Sequence, residues 1–329
     1  MGKTAFVFPG QGSQRVGMGL HLLTERPDLL DTYYRAADDI LGIPLSALCR
    51  EGPEEALRDT SVTQPAIFLT SLAALDVLRD KGYEPDVVAG HSLGEYTALV
   101  AAGAIEWTDA LRLVRRRGLL MAGVNRRIPG RMAAVLGLEL GVVEALCDRV
   151  TLELGQVVEV ANDNEPRQVV VSGQREAVER VRMAAQEAGA VKALALEVGA
   201  PFHCSLMSGI EEEFAAALDR VELRAPRVPL VSGVTGAFVG TAEDVAGCLR
   251  RQLAGRVQWT GAVRTMAREG VGTFVEVGPG KVLGGLCRRI VPEAAVHATH
   301  DARALAKLLS TVPPPAGSPL ASVVPGVAV

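Results

Sequence analysis

Aromatic residues are scarce in this chain of 329 residues, at 4 %. A surface that stacks bases on rings needs more of them, which argues against nucleic-acid binding of that kind. An excess of positive charge is also lacking. The formal net charge is −4, so no global field draws the chain to nucleic acid. Cysteines are few, odd in number and far apart: Cys49, Cys147, Cys204, Cys248 and Cys287. That pattern argues against a disulfide framework or a cysteine-rich zinc site and makes reduced thiols the default. The N-terminal apolar stretch stops at Pro9, too short for a secretory signal and with no small-residue cleavage site after it. No uninterrupted apolar run reaches the ~20 residues of a membrane helix. A cytoplasmic protein with no membrane or nucleic-acid partner is expected. What is present is 48 % hydrophobic and 22 % charged residues, the composition of a folded chain with a sizeable core.

The order of elements suggests an α/β fold. Thr4 to Phe8 and Asp86 to Ala89 are short apolar runs that read as buried strands. Each runs into a glycine-rich loop, and helices are expected at Pro65–Leu78, from Glu95 to about Ala102, and from Thr108. Strands alternating with helices imply a parallel sheet covered on both faces. Residues 130–198 have a rhythm of their own. Strands at Met132–Leu138, Val157–Val160, Gln168–Val171 and Val191–Val198 alternate with helices at Gly141–Val150 and Glu176–Ala190. That βαββαβ order is the split pattern of a ferredoxin-like unit. The main pattern resumes with a helix at Phe214–Val221, strands at Val228–Val231 and Gly272–Val277, and a helix at Ala302–Leu309. The expected division is therefore a large domain from 1–129 and 199–310, a small inserted subdomain at 130–198, and a proline-rich disordered tail at 311–329.

Gly90-His91-Ser92-Leu93-Gly94 fits the G-x-S-x-G nucleophile elbow, with the strand before it and the helix after it that the motif requires. The helix start offers free N–H groups and a positive dipole end to a reacting oxygen. A serine nucleophile needs a base. Of the five histidines, His203 in Pro201-Phe202-His203-Cys204 lies in a loop that could reach the elbow. An ordinary loop histidine fits the pattern as well. Gly10-Gln11-Gly12-Ser13-Gln14 follows the first strand. No Gly-Lys-Ser/Thr follows it, so it fails as a phosphate loop, but it suits the second half of an oxyanion hole. Arg115-Arg116-Arg117 lies in a predicted helix. Arg115 and Arg116 read as a solvated face. One arginine of the three turned inward would need a carboxylate, and a substrate carboxylate would satisfy it.

Phe8 to Gln14 together with Gly90 to Glu95 resembles the malonyl-CoA:acyl carrier protein transacylases, the discrete enzymes of fatty acid synthesis and the acyltransferases of polyketide synthases. Thr63-Gln64-Pro65-Ala66, Arg117-Gly118, Pro201-Phe202-His203, Val257-Gln258-Trp259-Thr260 and Glu276-Val277-Gly278-Pro279-Gly280 extend the likeness from about Phe6 to Arg289. The resemblance implies an α/β-hydrolase-like large domain with an inserted ferredoxin-like subdomain. It makes Ser92 the nucleophile and His203 the base, oriented by a backbone carbonyl near Gln252 in place of a triad carboxylate. It gives the oxyanion hole to the N–H groups of Gln11 and Leu93, the malonyl carboxylate to Arg117, and the cleft lining to Asn162. Leu93 after the serine and Phe202 before the histidine look like the malonyl-selective pattern. The implied reaction is ping-pong transfer from a coenzyme A thioester to the phosphopantetheine thiol of an acidic, transiently bound acyl carrier protein. No metal and no resident cofactor are implied, and a monomer is the common state. Arg126, Arg127, Arg288 and Arg289 are candidates for a basic rim that receives the carrier; general surface charge explains them equally well. An acyl hydrolase that clears stalled carrier proteins and a non-catalytic docking module are the rival readings.

Overall fold

Residues 2–198 and 200–312 are described by a computed structural model of the chain. The class is α/β, with two mixed sheets. Its strands are β1 (Lys3–Phe8), β2 (Val87–Gly90), β3 (Gly130–Leu136), β4 (Val158–Glu165), β5 (Gln168–Gln174), β6 (Lys192–Leu196), β7 (Leu230–Val231), β8 (Phe238–Val239), β9 (Val257–Gln258), β10 (Val271–Glu276) and β11 (Ala295–Ala298).

The first sheet runs β11-β10-β1-β2-β7-β8. Its strands are parallel from β11 to β7, and β8 pairs antiparallel with β7. The sheet is therefore not wholly parallel as expected: the short hairpin of β7 and β8 reverses its edge. The centre behaves as the apolar run in β1 dictates. Phe6 and Phe8 face one core, Ala5 and Val7 the other, and all four are buried. A strand buried on both faces has no polar side to alternate with, which is why it reads as a continuous apolar run. β1 and β2 are in register with Phe8 opposite Gly90. Their C-terminal ends thus place the Pro9-Gly10-Gln11 loop beside Ser92, at the sheet edge where open α/β sheets hold ligands.

The second sheet runs β6-β3-β5-β4-β9. β3, β4, β5 and β6 come from the 130–198 segment and pair antiparallel. Helices Leu140–Leu154 and Arg175–Glu187 share a separate apolar core with that sheet. The fifth strand does not come from that segment. β9 joins β4 in parallel, with Asn162 opposite Val257, and so ties the small sheet to the rest of the chain. Two residues of strand carry no readable alternation, so β9 is not legible from sequence.

Helix α1 spans Thr60–Asp80 and begins five residues before its expected start at Pro65. Asp59 accepts a hydrogen bond from the Ser61 N–H and caps it. Pro65 lacks the N–H that would bond to the Ser61 carbonyl. Arg115 donates to that carbonyl from Nη1 at 2.5 Å, so Arg115 is a structural donor and not the solvated residue expected. At 21 residues α1 is long and apolar enough on average to span a membrane, although Thr70, Ser71 and Asp76 interrupt its apolar residues, as the absence of an unbroken run implies. Of its most apolar stretch, 89 % is buried inside the protein, as in a core helix. The last helix, Ala302–Thr311, runs slightly past its predicted end at Leu309. The predicted disordered tail, apart from Thr311 and Val312, lies outside the described residues.

Candidate active site

The elbow is built by close backbone approach. A Cβ on Gly90 would stand 2.0 Å from the Gly94 carbonyl carbon, and one on Gly94 would stand 2.0 Å from the Phe8 carbonyl oxygen. Only glycine fits at either position. Between them Ser92 has φ +53°, and His203 has φ +58°. Among the described residues these are the non-glycine positions with positive φ. Such strain persists only where surrounding structure enforces it, and it clusters at functional sites. Helix α2 (Gly94–Ala101) starts two residues after the serine, with Leu93 at its N-cap.

The structure brings Ser92 and His203 together across 111 residues of chain. Ser92 Oγ lies 2.7 Å from His203 Nε2. His203 Nδ1 lies 3.0 Å from the carbonyl oxygens of both Gln252 and Gly255. Carbonyls only accept, so Nδ1 carries the proton, and Nε2 is left to accept from the serine hydroxyl. Burial, then the positive charge of Arg117 and the neighbouring His91, push the His203 pKa down to about 3. The imidazole is therefore neutral near pH 7.

Arg117 comes from helix α3 (Trp107–Arg127) and is 2 % exposed. Its Nη2 donates to Ser92 Oγ at 3.0 Å, Nη1 to Gln64 Oε1 at 2.8 Å, and Nε to Gln252 Oε1 at 3.2 Å. A guanidinium has five N–H donors, so two remain after these three contacts. The expectation that only a substrate carboxylate could partner it needs correction, since uncharged amides and the serine itself do so. Burial lowers its pKa, opposed by the nearby Tyr96 and Glu95. The Gln252 amide in turn donates from Nε2 to the Ser92 carbonyl at 2.9 Å and to Glu95 Oε2 at 2.7 Å. Glu95 Oε1 accepts from Ser232 Oγ at 2.5 Å. Burial pushes the Glu95 pKa up to about 7 against the pull of Ser232, Gln252 and Arg117.

A cleft of about 340 Å³ opens over the serine between the two sheets. Gln11, Asn162, Phe202 and His203 line it, and Val282 and Leu283 form part of an apolar wall. The Gln11 side chain bonds Thr60 Oγ1 at 3.2 Å. Among the described residues the backbone N–H groups of Gln11 and Leu93 have no hydrogen-bond partner within the chain. Free donors beside a nucleophile suit a developing oxyanion.

Residues 5–304 match the family model described as the acyl transferase domain. The chain belongs to that family. The malonyl CoA-acyl carrier protein transacylase of Escherichia coli strain K12 is 43 % identical over 310 residues, covering 94 % of this chain and 99 % of that protein. An acyl carrier protein S-malonyltransferase from Vibrio cholerae, solved as a crystal structure, is 41 % identical with a TM-score of 0.87, covering 93 % of this chain and 99 % of that one. A structure of a type II PKS acyl carrier protein in complex with its malonyl-transacylase matches at 41 % identity and a TM-score of 0.89, covering 94 % of this chain and 100 % of that one.

Several residues of this site have no role expected from the sequence. Gln64 and Glu95 lay inside matched motifs without an assigned role. His91 lines the cleft and meets Asn164 Oδ1 through Nε2 at 2.8 Å. Asn164 could have been found only from its pairing position two residues beyond Asn162. Of the expected basic rim, Arg126, Arg127 and Arg288 are exposed. Arg289 is exposed too but pairs with Glu165 at 3.2 Å.

Proposed function

We propose that the protein transfers a malonyl group from coenzyme A to the phosphopantetheine thiol of an acyl carrier protein, through an ester on Ser92. The observation that carries this reading is the environment of one atom. Ser92 Oγ has a neutral imidazole nitrogen at 2.7 Å and a buried guanidinium at 3.0 Å.

In the first half-reaction Ser92 Oγ attacks the thioester carbonyl while its proton passes to His203 Nε2. The N–H groups of Gln11 and Leu93 take the oxyanion. Collapse breaks the carbon–sulfur bond, and His203 returns the proton to the departing coenzyme A sulfur. A strongly depressed histidine is a weak base at rest, but once protonated it is a strong acid toward a thiolate, whose ordinary pKa lies near ~8.5. In the second half the carrier's thiol gives its proton to His203 and attacks the ester. Collapse then sends the proton back to Ser92 Oγ. The two N–H donors left on Arg117 receive the malonyl carboxylate, and Asn162 and Phe202 line the acyl chamber. Each step uses groups of this chain, so the reading assigns no resident cofactor.

The same reading treats residues 130–198 as a ferredoxin-like insertion, supported by the spatial order β6-β3-β5-β4, and the remainder as α/β-hydrolase-like, supported by the elbow at the end of β2. Incubating the protein with labelled malonyl-CoA and a phosphopantetheinylated carrier protein tests the reaction. Malonyl-carrier as the product supports the transferase; free malonate without malonyl-carrier would identify a hydrolase instead.

A further inference from the structure

A buried guanidinium needs a buried opposite charge, or its desolvation goes uncompensated. Arg117 is 2 % exposed, and the groups it bonds directly are two side-chain amides and a hydroxyl. The carboxylate in its surroundings is Glu95, also 2 % exposed, and the two are joined through one side chain. The Gln252 amide accepts from Arg117 Nε on its oxygen and donates to Glu95 Oε2 from its nitrogen. Ser232 holds the other carboxylate oxygen.

We infer that Glu95, fixed by Ser232, is the counter-charge of the Arg117 anchor, acting through the Gln252 amide as a positioning residue for substrate selection. The arrangement has a chemical consequence that a direct ion pair would not. A carboxylate bound face to face with Arg117 would take the bidentate fork geometry that a substrate carboxylate needs. With an amide interposed, Arg117 stays oriented and electrostatically compensated, while two donors stay open. The polarity of the bridge is set by its ends. Glu95 and the Ser92 carbonyl are acceptors, so the amide nitrogen must face them and the oxygen must face Arg117. A half-turn of the amide would oppose donor to donor at Arg117 and acceptor to acceptor at Glu95. The charged and titratable groups around Glu95 are Arg117, Tyr96 and Cys248.

This rests on the malonyl-transfer reading, and the test separates the two. The readout is the ratio of kcat/KM for malonyl-CoA to that for acetyl-CoA, measured by acylation of the full-length protein, with thermal melting to monitor folding. Glu95→Gln keeps the shape but removes the charge. It should lower the ratio about tenfold or more, chiefly through a higher KM for malonyl-CoA, as expected for loss of a charge-assisted bond in a dry site. A merely structural role would lower both rates together and leave the ratio intact, which would overturn the inference. If Glu95→Gln fails to fold, Ser232→Ala decides, because it loosens Glu95 without touching Gln252 or Arg117. It should lower the ratio in the same direction by a smaller factor, and an unchanged ratio would overturn the inference. A native protein that takes no malonyl group at all would instead refute the underlying reading.

Discussion

Replacing Arg117 by alanine should change which substrate the protein accepts more than how well its serine reacts. In the native site the guanidinium makes three hydrogen bonds and keeps two donors free. Truncation would leave a malonyl carboxylate desolvated without a partner, at a cost of about 2–5 kcal/mol by analogy with broken buried charge pairs. At ~1.4 kcal/mol per decade that is a fall of roughly thirtyfold to several thousandfold in kcat/KM for malonyl-CoA. Acetyl-CoA has no such carboxylate. It should feel the loss of the Arg117–Ser92 bond, worth about 1 kcal/mol, or roughly fivefold. Part of that loss is offset, because Arg117 is one of the groups that hold the His203 pKa down. Its removal makes the base stronger. The assay is kcat/KM for both thioesters with both proteins. Equal losses for the two substrates would mean that Arg117 supports only the serine or the fold, and the selectivity argument would fail.

Two further outcomes are expected. His203 is neutral at all pH values above its depressed pKa of about 3, and base function is lost only as pH falls through that value. Single-turnover acylation should therefore show no limb near the ordinary histidine value of ~6.5. Arg117→Ala should shift the limb upward, and a native limb at the ordinary value would contradict the burial argument. Reversing the charges of Arg126, Arg127 and Arg288 should raise KM for the carrier protein while sparing the coenzyme A half-reaction; steady-state kinetics with the carrier varied would expose an unchanged KM.

The elbow was legible because its requirements are local. Two glycines, a strand and a helix lie within a dozen residues, and each imposes a backbone conformation that sequence displays. The partners of the serine were less so. His203 is 111 residues from Ser92 in the chain, and among five histidines only the family resemblance assigned it. Arg117 stood out within a run of three arginines, but its anchoring depends on Gln64 and Gln252, which are 53 and 135 residues away. Glu95 lies beside the elbow with no role legible in the sequence, since one turn of helix does not reveal which face meets Gln252. The fold shows the same division. β1 declares itself by an unbroken apolar run. β8 and β9 are two residues each, too short for any period, and they are where the expected sheets were incomplete. The start of α1 was misplaced because Pro65 reads as a helix beginning, whereas Arg115 supplies the bond that lets it sit inside one.

The central claim is that Ser92 carries the acyl group. Intact-protein mass spectrometry after mixing with malonyl-CoA, in the absence of carrier, tests it most directly. The native protein should gain one malonyl unit, located on Ser92 by peptide mapping and discharged when the carrier thiol is added, and Ser92→Ala should gain none. A normal adduct on the folded Ser92→Ala protein, or a native adduct mapped to another residue, would contradict the account.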